Sequence, residues 1–575
     1  MELSARAIEE AVHPTAAFCP FPDETRTAHA HAHQHTAPQP SWGDSLLNPK
    51  NRIDSLALPD DPLWRIDGCA GLGTQYYTVP LFLNNRPPMR MDVFIPENQP
   101  DLIREQLDLD KAFHTKDAAR LSRLAITTHI IRTLRLWTLS SFRSLAAFEQ
   151  LYRAAPFGSR IVFVTMSLDI HQIRVQIGTN HNLERKLLSR SSLTSLWGAE
   201  FPFLQEVDFF DVCVIAVLHD SVCLVRIHEQ LFIFKALVSG ANYLYHELKT
   251  LCTLEPHHNV IARPIHIVKK ACNFGGKKAV VGFTTFYHSQ GSLRDILPQL
   301  RIGGQLRRSD QFKWSIQLTT ALEHLRTTSA TYYPDLRLDN VVLSDKDDIV
   351  MVDFEQRGVW CEFAAPEVNA IEYIRLLAAD DQMPDDVQTK YTEMMRELVP
   401  EFDSLQLDRY TDPEKGYNVT WIALSPAEQE AAEVYMLGRM LWCIFEGVSG
   451  PQKAAVWQSY RWESDLEFPE YDRTPAEMRD LIDRCTRGRR EGLASIIIRQ
   501  SSRLVLRNTP TSDQSADDVR AAAKGFWTSE IEVAERFLDM RSSQRAMGTW
   551  NDNYYDRPTL KEVLTALESY RGQLM

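Results

Sequence analysis

The 575-residue chain has no apolar run approaching the ~18 residues that a membrane-spanning helix requires. It has no C-x-x-C pair. Its nine cysteines are scattered, which reads as reduced thiols and not as a disulfide framework. It has no excess of basic residues: the formal net charge is −13, which argues against general nucleic-acid or anionic-membrane binding. The first residues contain no apolar signal core. These absences together predict a cytoplasmic or nuclear protein with neither nucleic acid nor membrane as partner. What is present is ordinary for a globular chain, 44% hydrophobic and 24% charged, with length for two or three domains.

Composition changes along the chain. Residues 1–60 are rich in Pro, His, Ala and Asp and are expected to form a disordered tail. His29, His31, His33 and His35 alternate there; they read as low complexity, because a mobile tail offers no fixed ligand geometry. Residues 74–204 read as an α+β accessory region. Strands are expected over 76–82, 91–95, 160–168 and 170–178. One or two helices are expected over 110–153, with Leu121, Leu124, Ile131 and Leu134 on one stripe and Thr128 in its gap. From 205 onward, β-branched runs at 212–218, 222–227 and 231–235 predict an antiparallel meander. A helix carrying Leu244, Leu248, Leu251 and Leu254 follows, then strands near 261–268 and 279–286. After Gly291 the pattern is mainly helical.

The densest chemistry lies at 331–355. Asp335 precedes Asn340 by five residues, two apolar runs follow, and the second ends at Asp353 in Asp-Phe-Glu. Phosphoryl transfer from ATP needs one carboxylate to position the attacking hydroxyl. It also needs an amide oxygen and a second carboxylate to hold Mg²⁺ (or Mn²⁺) against the phosphates. The pattern resembles the catalytic loop and metal motif of protein kinases. It is most similar to fungal protein-kinase-like proteins that carry Asp-Phe-Glu-Gln-Arg-Gly.

The resemblance covers about 205–370 and resumes near 428–488 and 555–572. It implies an α+β, two-lobed kinase-like fold: an N-lobe over 205–290 and a C-lobe over 291–575 with insertions at 370–428 and 489–555. It implies that Lys235, ending Phe-Ile-Phe-Lys, contacts the α- and β-phosphates and that Glu247 holds it. Asp335 becomes the base or hydroxyl-orienting group, and Arg337 a charge for the γ-phosphate. Asn340 and Asp353 become the metal ligands. Thr285, Phe286 and His288 fall at the adenine edge, and Ser221 and Val222 in the phosphate-covering turn. Ala365-Pro366-Glu367 and Arg557-Pro558-Thr559 imply a buried Glu367–Arg557 pair.

The departures are as informative. Residues 217–223 contain no glycine, so the backbone's approach to phosphate is in question. Tyr333-Pro334 replaces the His-Arg that would answer a phosphorylated activation loop. Only 11 residues, Phe354 to Ala364, separate Asp353 from Ala-Pro-Glu. Glu355 replaces the usual Gly, and Glu433 the usual Asp of the central lower-lobe helix. The expected function is an ATP- and Mg²⁺-dependent phosphotransferase, a Ser/Thr protein kinase with a protein substrate and no phosphorylation switch. The alternatives are a catalytically weak pseudokinase scaffold and a small-molecule kinase of the same fold.

Overall fold

The computed structural model describes residues 1, 5–18, 61–70, 73–97, 99–112, 118–198, 204–273, 275–329, 331–451, 466–500, 503–510 and 514–574. Helix α1 (Ala5–Ala11) and a 3₁₀ turn (Pro14–Ala17) open it. The disordered tail expected over 1–60 is therefore corrected at its start; His29–His35 lie outside the described residues. Tail-like composition misled there because α1 is stabilised by a partner distant in sequence, described below.

Five strands form the first sheet in sequential order: β1 (Trp64–Ala70), β2 (Gln75–Pro80), β3 (Val93–Phe94), β4 (Arg160–Phe163) and β5 (Val175–Gly178). Only β3 and β4 run parallel. The sheet begins at Trp64, ten residues before the expected boundary. Arg65 and Asp67 break the apolar alternation of β1, and both have partners on the next sheet. Arg65 donates to the Ile215 carbonyl at 2.7 Å, and Asp67 accepts from the Val217 amide at 2.8 Å. Against this sheet lie α2 (Ala125–Ser141) and α3 (Leu145–Ala154). The expected stripe is buried at Leu121, Leu124, Thr128, Ile131 and Leu134. It is not one helix: a short helix ends at Leu121, and Leu124 is an extended N-cap before α2.

The second sheet has six strands in the order β6-β10-β11-β9-β8-β7. They are β6 (Gln205–Asp208), β7 (Cys213–Val217), β8 (Val222–Ile227), β9 (Gln230–Lys235), β10 (His266–Ala271) and β11 (Lys278–Phe286). The meander over β7–β9 forms as its pattern predicts. The sixth strand, β6, pairs parallel to β10; with one buried residue, Val207, it carries almost no apolar signal. Helix α4 (Ala241–Thr253) buries Leu244, Leu248 and Leu251.

The rest is mainly helical: α5 (Leu293–Ile302), α6 (Arg308–Thr327), α7 (Pro366–Ala379), α8 (Asp385–Leu398), α9 (Pro426–Glu446), α10 (Ala476–Cys485), α11 (Ala516–Met547) and α12 (Leu560–Leu574). Two hairpins interrupt it, β12 (Val341–Leu343) with β13 (Ile349–Met351), and β14 (Ile497–Gln500) with β15 (Arg503–Leu506). Among the described residues no helix is long and apolar enough to cross a membrane. Helix α9 is central. Ser425 and Glu428 close a capping box at its start, and Leu437, Leu441, Ile444 and Phe445 are fully buried. Gly438 is required where α9 meets α10, since a Cβ there would stand 2.7 Å from that of Cys485. The partner of α1 is α11: Trp527 donates to the Ala11 carbonyl at 3.0 Å, and Arg520 pairs with Glu10 at 2.7 Å.

The expected Glu367–Arg557 pair is present. The Arg557 guanidinium is fully buried and grips both Glu367 oxygens, with Nη2 to Oε2 at 3.0 Å. It also donates to the carbonyls of Ala431 and Arg487, each at 3.0 Å, so each of its three nitrogens donates at least once. Removing one partner strands a buried charge. Arg557→Met is expected to lose about 3–5 kcal/mol of unfolding free energy, read by urea denaturation; a loss below about 1 kcal/mol would contradict this role for the pair.

Candidate active site

Strand β9 ends at Lys235, which register places opposite Val222 on β8 and Phe283 on β11. Its Nζ lies 2.7 Å from Glu247 Oε2 on α4, 2.5 Å from Asp353 Oδ1 and 3.2 Å from Glu355 Oε1 after β13. Three elements distant in sequence thus converge on one ammonium. Burial opposes the charge, but Asp353, Glu247 and Glu355 together hold the lysine pKa well above its ordinary value. Burial pushes Glu247 up. Burial alone would raise Asp353 too, but Lys235 and then Arg337 hold it below the usual carboxylate range. The other oxygen of Glu247, Oε1, accepts the Phe354 amide at 2.9 Å, so α4 also fixes the backbone of Asp-Phe-Glu.

Asp335 and Asn340 lie in the loop before β12. Asn340 Nδ2 donates to the Asp335 carbonyl and to its Oδ2, both at 3.0 Å. Arg337 Nε is 3.1 Å from the same Oδ2, and its guanidinium stacks on Trp360 at 4.9 Å. Arg337 therefore faces inward to Asp335. The second Asp335 oxygen, Oδ1, is buried and has no hydrogen-bond partner. Burial pushes Asp335 up to about 6, against the pull of Arg337. Beneath the loop, buried Glu433 on α9 accepts the Tyr333 amide and Arg326 Nη1, each at 2.9 Å. Its longer side chain anchors the loop where a shorter Asp was expected from the resemblance. The Tyr333 hydroxyl donates to the Val352 carbonyl, tying the loop to the residue before Asp353.

The backbone hydrogen bond from Val352 to Asn340 (2.9 Å) brings the two expected metal ligands, Asn340 and Asp353, to neighbouring positions. Among the described residues the carboxylates within 4.8 Å of one another are Glu247, Asp353 and Glu355, and Glu355 is the residue that sequence reasoning missed as a member. Its signal was available: it is an acidic residue two positions after Asp353. The backbone here also changes the reading of the missing glycine. Asp353 and Gln356 take the left-handed conformation, at φ 67° and 52°, while Glu355 does not. The donors are all oxygens and the charge is in excess on the negative side. Both features fit a hard divalent cation such as Mg²⁺ or Mn²⁺.

Thr285 is buried opposite Ile233, Phe286 ends β11 half-exposed, and His288 is partly buried just beyond it, with burial lowering its pKa. The turn over 218–222 is hydrogen-bonded within itself. The His219 amide donates to the Val222 carbonyl at 3.1 Å and the Val222 amide returns to His219 at 3.3 Å. His219 Nδ1 pairs with Asp220 at 2.5 Å. The Val222 amide is thus engaged inside the turn and is not presented to a phosphate; the Ser221 carbonyl accepts from Ala236 at 2.9 Å. Without glycine the turn closes on itself.

No family model matches the chain, and no curated protein is a significant match to it.

Removing the ammonium should be costly in itself. Lys235→Met leaves three carboxylates facing one another, and a loss of about 3–5 kcal/mol at pH 7.5 is expected. Carboxylates whose folded pKa values rise above their unfolded ones favour the folded state at low pH. The deficit should therefore shrink as pH falls from 7.5 toward 5. Equal deficits at both pH values by urea denaturation would contradict a carboxylate cluster balanced by Lys235.

Proposed function

We propose that the chain is an ATP-dependent phosphotransferase of two-lobed kinase-like architecture, a Ser/Thr protein kinase that works without activation-loop phosphorylation. The observation that carries this reading is the meeting of Lys235, Glu247 and Asp353, within 2.5–2.7 Å of one another's charged groups through the lysine, beside Asp335 and Asn340. In this reading Lys235 binds the α- and β-phosphates and Glu247 holds it there. Asp335 Oδ1, the buried oxygen without a partner, accepts the proton of the substrate hydroxyl, while Asn340 and Arg337 fix the other oxygen. Asn340 and Asp353 would hold Mg²⁺ (or Mn²⁺), which supplies charge neutralisation on the phosphates. Thr285, Phe286 and His288 border the adenine edge, and the turn with Ser221 and Val222 lies over the phosphates while its Val222 amide stays bonded within the turn.

Independence from phosphorylation rests on two observations. Residues 354–364 contain no Ser, Thr or Tyr, so this segment has no hydroxyl to phosphorylate. Helix α4 is held by contacts that involve no phosphate: Lys249 pairs with Asp412 at 2.7 and 2.8 Å, and His246 bonds Gln356 at 2.8 Å. A second reading, the catalytically weak pseudokinase scaffold, is favoured by one feature, the self-bonded turn over 218–222.

The two readings separate by activity. With ATP, Mg²⁺ and a generic protein substrate, kcat/KM should rise with pH through about 6 as Asp335 deprotonates. Asp335→Asn should lower turnover on the order of 10²–10⁴-fold. A pH-independent rate from 5 to 7.5, or full activity in the variant, would remove Asp335 from the role of base.

A further inference from the structure

A cavity of about 400 Å³ lies apart from Lys235, between the 359–364 segment, α7, α9, the start of the 489–555 insertion, α11 and α1. Its wall is largely apolar and aromatic: Trp360, Tyr373, Leu493, Trp527, Val533 and Phe537. Its volume falls in the range that takes a drug-sized ligand, ~300–1,000 Å³. One side chain in it is out of keeping with the rest. Arg439, from the middle of α9, lines the cavity at 7% exposure. Its Nη2 donates to the Tyr435 hydroxyl at 2.9 Å, and its guanidinium stacks on Phe468 at 4.6 Å and Tyr435 at 5.4 Å. Its Nε is buried with no acceptor, and among the described residues no carboxylate pairs with it.

The other charged groups lining the cavity are engaged or in water. Glu530 pairs with Arg490 at 2.5 Å, Glu362 accepts the Trp360 indole N–H at 3.3 Å, and Glu491 is exposed. A guanidinium withdrawn from water with an unmet donor and no paired anion is costly. Its fork matches a planar carboxylate. We infer that this cavity is a second ligand site, for a small amphipathic carboxylate whose anion meets Arg439 and whose apolar body lies on the aromatic wall. Trp360 is shared with the candidate active site, since its ring also carries Arg337. The inference stands on this cavity alone and does not depend on the phosphotransfer reading.

The test is binding to the full chain by calorimetry. The probes are alkyl and arylalkyl carboxylates of roughly eight to twelve carbons, sized for such a volume, each paired with its neutral amide. At least one carboxylate should bind with one-to-one stoichiometry and with roughly tenfold or greater preference over its amide. Arg439→Met should abolish the preference. Val533→Trp, which fills the cavity from a half-buried wall position, should block carboxylate and amide alike and serves if the first variant does not fold. The inference is overturned if no carboxylate binds, if the amides bind equally well, or if binding survives Val533→Trp.

Discussion

The ammonium of Lys235 is the point on which the structure turns. It ends a strand, and the three carboxylates it holds come from a helix and from the loop beyond β13. None of the four groups is stable alone in this position. Glu247 is buried, while Asp353 and Glu355 keep 31% and 13% of their side-chain surface exposed; a buried carboxylate without a counter-charge costs several kcal/mol. One lysine offsets part of that and leaves a net negative cluster. The six-stranded sheet, α4 and the β12–β13 hairpin are thereby held in one relation. The same excess charge gives a divalent cation a reason to bind. Structural and chemical roles reside in the same contacts.

The helical part repeats the device on α9. Glu428 binds Arg541 with both oxygens, at 2.7 and 2.6 Å, and takes the Trp550 N–H at 2.9 Å, which ties α11 to the core. Glu433 supports the loop of Asp335. Glu446 accepts the amides of Arg473 and Thr474, at 3.0 and 3.1 Å. Each of these acids is buried and has at least two donors, so each specifies a neighbour where apolar packing alone would leave several arrangements close in energy. Arg439 is the exception along this helix, a buried charge lacking an ion-pair partner among the described residues. The segments 370–428 and 489–555 have a definite place in this scheme. The first supplies Tyr410, Tyr417 and Asp412 against α4; the second supplies α11 and a wall of the cavity.

What was legible in the sequence had short range or strict spacing. β8 coincides with its β-branched run, and α4 buries three of the four leucines that marked it, Leu254 being its C-cap. Glu367 and Arg557, 190 residues apart, were legible through the three-residue motifs around them. What was not legible depends on partners elsewhere. β1 hides its strand pattern because Arg65 and Asp67 reach another sheet. β6 buries a single side chain and relies on β10 for its hydrogen bonds. The helical stripe at 121–134 was right in which residues it buried and wrong in continuity, because burial alone does not report the break at 122–124. In the site, the resemblance singled out Lys235, Glu247, Asp335, Asn340 and Asp353. It did not reveal that Glu355 would join Lys235, nor that the Val222 amide would be bonded within its own turn.

If the Lys235 cluster and the Asp335–Asn340 loop form one metal-dependent phosphotransfer site, ATP turnover must depend on both the cation and Asp353. The measurement is turnover by the wild-type chain and by Asp353→Asn, each with Mg²⁺, with Mn²⁺ and with neither. The wild type should turn over ATP only when a divalent cation is present, and Asp353→Asn should not under any of the three conditions. Equal turnover by both proteins, or none by the wild type with either cation, would contradict such a site.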